Sequence, residues 1–144
     1  MRTADPAGAL AAFAEVVSGA RLLLETDPES TDYRRSLQIG LVQLADAQLA
    51  TGAPEQAVGS CREALGLALQ VCAAEADSLG CRQGHAIALS RLGVAARASG
   101  DLETARQSWT DALALLDAML QEDPSLTQEI QARDWLRVEL AGLP

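Results

Sequence analysis

The chain has 144 residues, 49% of them hydrophobic but only 3% aromatic, and carries a formal net charge of −9 from 20 acidic and 11 basic residues. Such an acidic balance argues against a nonspecific nucleic-acid or anionic-membrane surface, and so few rings leave little with which to wall a cofactor pocket. Every basic residue is arginine.

Breakers and caps divide the chain into six expected helices, over 6–26, 32–51, 54–76, 79–99, 101–122 and 125–141. The first contains "ALAAFAEVVSGA", which has the look of a leader peptide, but Asp5 offsets Arg2 and Glu15 interrupts the apolar run. It is read as a helix of the fold, with no stretch expected to be long enough to span a bilayer. Asp5 and Asp101 are placed to cap the first and fifth helices, and Pro6 and Pro54 sit where a missing N–H does no harm. Gly52 and Gly100 end the second and fourth helices, where a positive φ would let the chain reverse into an antiparallel partner.

The helices repeat. Leu89, Leu92, Ala98, Gly100, Glu103 and Ala105 each lie 48 residues after Leu41, Leu44, Ala50, Gly52, Glu55 and Ala57. At twice that spacing, Asp5, Ala9 and Phe13 fall on Asp101, Ala105 and Trp109. A fixed period of this length signals a stacked array of helical hairpins. Within "RLGVAARASGDLETARQSW", the small Gly93, Ala96 and Ala105 are expected where two backbones approach, with Trp109 filling the space beside them.

In this pattern the chain resembles the tetratricopeptide repeat family. Leu89, Leu92, Gly93 and Ala96 match the family's first helix, and Ala105, Trp109 and Ala112 its second. The earlier unit offers Leu41, Leu44, Ala45 and Gln48, then Ala57, Cys61 and Ala64, with Gln48 and Cys61 the weaker matches. The period of 48 exceeds the family's usual length of about 34 residues, as in long bacterial variants. The resemblance implies an all-α, right-handed superhelical αα-hairpin array of about six antiparallel helices, forming one domain over 1–144. Residues 1–32 would be a leading half-repeat, 33–80 and 81–124 two repeats, and 125–144 a capping helix.

Cys61, Cys72 and Cys81 have no metal-ligand spacing, and with a single histidine a zinc site is not expected. Cys72 and Cys81 could approach across a turn, but Cys72 aligns with Leu24 and Leu120 and so reads as a core thiol, which fits a reduced, cytoplasmic protein. His85 has no nucleophile or acid at a fixed spacing and reads as packing. Neither a catalytic constellation nor a cofactor is expected.

The charges are sorted by helix type. The first-type helices hold Arg34, Arg35, Arg82, Arg91, Arg97, Arg133 and Arg137 against the acids Asp46, Glu129, Asp134 and Glu139, whereas the second-type helices hold nine acids against Arg21, Arg62 and Arg106. By the resemblance, first-type helices line an inner groove, onto which Arg35, Ile39, Val42, Asp46, Leu49, Ile87, Arg91, Val94, Arg97, Trp135 and Val138 would face. Apolar residues rimmed by arginine suggest a noncatalytic interaction or scaffold module that binds a protein or peptide of acidic-hydrophobic character. The alternatives are a groove filled by the chain's own last helix, and a structural spacer or self-assembling element, so that the chain is a monomer or weak oligomer. The last helix is expected to cap the array, turning Ile130, Trp135, Leu136 and Leu140 inward and its charges outward.

Overall fold

The computed structural model describes residues 5–144, so Arg2 in the charge argument above lies outside them. Among the described residues all regular structure is helical: α1 (Pro6–Thr26), α2 (Thr31–Ala50), α3 (Pro54–Ala74), α4 (Leu79–Ala98), α5 (Leu102–Glu122) and α6 (Thr127–Ala141). The side chains of Asp5 and Asp101 accept from the N–H groups of Gly8 and Thr104 at 3.1 Å each, and prolines open α1 and α3. Gly52 and Gly100 have φ of 79° and 88°, the left-handed conformation that reverses the chain after α2 and α4. Start points differ most at α6. There Asp123 accepts from the Ser125 N–H at 3.0 Å, and the turn this makes delays the helix to Thr127.

Each helix packs against the next in sequence, and α2 packs also against α4. The result is an all-α array of helical hairpins, with α2, α4 and α6 as first-type helices and α1, α3 and α5 as second-type. Helix approach follows small residues. A Cβ added at Gly93 would stand 2.1 Å from Trp109 Nε1, so only glycine allows the indole to lie flush on α4. Trp109 is 0% exposed, its Nε1–H donates to the Ser90 carbonyl at 3.0 Å, and Ala96 and Ala105 are fully buried nearby in the array. Leu136 of α6 is buried in the same core, beside Trp109, Leu116 and Met119.

Two expectations are corrected. Cys72 and Cys81 are joined as a disulfide across the α3–α4 turn, their Cα atoms 5.1 Å apart. Ala76 and Asp77 both take left-handed φ, at 50° and 57°, and this tight reversal sets the last turn of α3 against the first turn of α4. The register with Leu24 and Leu120 is consistent with burial but does not reveal that the two sulfurs meet. The second correction concerns α1, which is long and apolar enough to cross a membrane by length and composition, because Glu15 and Arg21 are too few charges to break it. In the fold α1 instead lies along α2, burying Val17 and Ala20.

Candidate partner-binding cleft

The first-type helices present one large apolar residue per repeat at the same register. Ile39, Ile87 and Trp135 follow each other at intervals of 48 and are 53%, 50% and 40% exposed. What lies beside this row differs between repeats. Between α2 and α4 the space is filled by Gln38, a buried side chain whose amide nitrogen would be 2.6 Å from a Cβ at Gly84. One repeat later the equivalents of Gln38 and Gly84 are Ala86 and Ala132. Two alanines cannot fill what a glutamine filled, and a cleft of about 420 Å³ opens there.

Ala86, Ile87 and Ser90 of α4 form one wall of the cleft, with Gln83 and Arg91 at its edges; Gln128, Glu129, Ala132 and Trp135 of α6 form the other, and Leu116 of α5 lies between. Trp135 is held by an edge-on contact with Trp109, centroids 5.6 Å apart and planes at 82°. Glu129 is only 6% exposed, and Gln83 Nε2 donates to its Oε1 at 2.7 Å.

The arginines of the first-type helices are all engaged by carboxylates. Arg35 pairs with Glu75 and, at 3.4 Å, with Asp32; Arg82 reaches Glu122 at 2.9 Å. Arg91 pairs with Asp46 at 3.4 Å, Arg97 with Glu139, and Arg137 with Asp117 at 3.8 Å. Arg34 lies 3.9 Å from Glu29, and Arg133 3.2 Å from Asp134. Sorting of charge along the sequence is therefore undone in space: Glu75 at the end of α3 and Glu122 and Asp117 of α5 meet three of these arginines, and acids of the first-type helices and the loop before α2 meet the rest. The hydrogen bond from Arg35 lowers the Glu75 pKa, whereas partial burial raises that of Asp46 against the pull of Arg91. Arg97 also lies over the Trp109 ring, 4.9 Å from its centroid.

Of the residues expected to face the groove, the cleft brings together Ile87, Arg91 and Trp135. Ile39 and Val138 are exposed outside it. Val42, Leu49 and Val94 are half-buried, packed against the helical core. Arg35, Asp46 and Arg97 serve in ion pairs. Sequence reasoning missed Ala86, Leu116 and Glu129. For Glu129 a signal existed, since its repeat equivalents are Tyr33, half-buried, and Cys81, buried, and a carboxylate at such a position is out of keeping with the register.

Outside the cleft, donor atoms of Cys72, Asp77 and Cys81 lie within 4.8 Å of one another. With the two sulfurs bonded, neither is a thiolate, and the set is not a metal ligand set in this form. Cys61 is buried and its thiol is pushed up to about 12, chiefly by that burial, so it has little thiolate character. Burial likewise lowers the His85 pKa, opposed by Asp111 and Asp77, which favours the neutral ring. No protein-family model, curated protein or solved structure matches the chain.

Proposed function

We propose that the chain is a noncatalytic protein-interaction module of tetratricopeptide-like architecture, which holds a peptide or helix of its partner in the cleft between α4 and α6. The observation that carries this reading is the vacated glutamine position: the repeat fills this space once, with Gln38, and leaves it open at Ala86 beside an exposed Ile87 and Trp135. An amphipathic segment would bury these residues and Leu116, which is the ordinary driving force for a helix in a groove. The ion pairs of the first-type arginines shift the weight of recognition from positive charge to this apolar wall. Peptides selected from a random display library on the full chain should lose binding to Ile87→Asp and keep it for Leu22→Asp, an equally drastic change on the outer face of α1. Peptides indifferent to Ile87→Asp would refute the cleft as the site.

A second reading, self-association, is favoured by one observation. Val16, Leu22 and Leu23 are exposed on α1, a largely apolar helix that buries only Val17 and Ala20. Solution mass over a concentration series tests it: a dimer abolished by Leu22→Asp supports it, and a monomer throughout the range removes it. The expected cytoplasmic location rested on reduced cysteines, and the disulfide takes that support away.

A further inference from the structure

We propose that the α4–α6 cleft is built for a basic side chain, the ammonium or guanidinium of a lysine or arginine carried on an apolar segment of a partner protein, with Glu129 as its counter-charge. This inference rests on the interaction reading and gives the partner its chemistry. Glu129 is nine-tenths buried, yet its one hydrogen-bond donor is the neutral amide of Gln83. Among the described residues no arginine pairs with it, although every first-type arginine has a carboxylate of its own. A carboxylate buried without a cation carries a desolvation cost, and a cation brought by a partner removes it.

The rest of the cleft fits the same occupant. Trp135 offers an exposed indole on the same helix as Glu129, a surface suited to a cation. Ile87, Ala86 and Leu116 offer apolar contact for an aliphatic stem behind the charged head. Arg91, the cation at the edge of the cleft, is engaged by Asp46 at 3.4 Å, which weakens its repulsion of an incoming positive charge. Over longer range, the net charge of −9 draws basic partners toward the chain. The acidic-hydrophobic partner suggested by the arginines of the sequence is thereby replaced by a basic-hydrophobic one.

The test uses three amphipathic helical peptides with one leucine pattern and lysine, glutamine or glutamate at a single position on the edge of the apolar face, measured by fluorescence anisotropy on the full chain at about 0.15 M ionic strength. The lysine peptide should bind about ten-fold tighter than the glutamine peptide, as expected for a charge-assisted hydrogen bond. Glu129→Gln should erase that preference, and Glu103→Gln, on the exposed start of α5, should leave both the preference and the glutamine peptide's affinity intact. Should Glu129→Gln fail to fold, Trp135→Leu takes its place, with about a three-fold loss of the preference expected. Equal binding of lysine and glutamine peptides overturns the inference and leaves the interaction reading standing. So does tighter binding of the glutamate peptide, or a lysine preference that survives Glu129→Gln. If none of the three peptides binds, the inference and the interaction reading fall together.

Discussion

Helices α1 and α5 occupy the same register two periods apart, with Asp5, Ala9 and Phe13 against Asp101, Ala105 and Trp109, yet they live in different surroundings. Helix α5 packs on α4 and α6 and buries Ala105, Ser108, Trp109, Ala112, Leu116, Met119 and Leu120. Helix α1 packs on α2, is tied to α3 through Arg21 and Glu63, and buries only Val17 and Ala20. Phe13 is half-buried beside a shallow depression that includes Gln43 and Ala47, whereas Trp109 is sealed over Gly93. A repeat position thus fixes which face of a helix looks inward. Neighbours on both sides decide how much that face contributes.

The largest expected effect tests this difference directly. Trp109→Ala should destabilise the fold by about 3 to 5 kcal/mol, because the cavity is enclosed by α4 and α6. Phe13→Ala at the equivalent position should cost about 1 kcal/mol or less, since water already reaches the ring. Denaturant melts of the two variants give the comparison, and equal losses would mean that α1 is as embedded as α5.

Next in size is the disulfide at the junction of the two repeats. Cys72 and Cys81 are nine residues apart, and opening so short a loop should cost about 2 to 3 kcal/mol in the chain-entropy account. Melting with and without a thiol reductant measures it, and Cys72→Ser with Cys81→Ser should abolish the sensitivity. An unchanged midpoint on reduction would show that Val71 and the helix contacts alone hold the turn.

Two glycines give the smallest effects and opposite signs. Gly19→Ala in α1 meets nothing within 4 Å and should stabilise the helix by about 0.5 to 1 kcal/mol. Gly93→Ala in α4 drives a methyl into the Trp109 indole and should destabilise by about 1 to 3 kcal/mol as the ring is pushed aside. Changes of the same sign would contradict the contrast between an open outer helix and a closed inner one.

Much of the array was legible in the sequence because its signals are local. Caps at Asp5 and Asp101, positive-φ glycines at 52 and 100, and the spacing of 48 need only a few residues each to read. Gly93, which lies against Trp109, was legible for the same reason. The cleft was not, because it depends on three helices and on a residue that is absent. Gln38 looks unremarkable until its amide is seen against Gly84, and only then do Ala86 and Ala132 register as an opening. The charge pattern misled in the opposite sense: seven arginines on one helix type read as a basic face, whereas the fold carries acids such as Glu75, Glu122 and Asp117 across to meet them.

The central claim is that the vacated position at Ala86 creates the docking site, and amide chemical-shift mapping tests it most directly. A selected peptide titrated into the isotope-labelled full chain should shift amides over Gln83 to Arg91 and Gln128 to Trp135. The same titration on Ala86→Gln with Ala132→Gly, which restores the pair that the repeat already accommodates as Gln38 and Gly84, should leave those amides where they are while the helical spectrum is retained. Shifts centred on α1, or shifts in the cleft that persist in the double variant, would contradict the account.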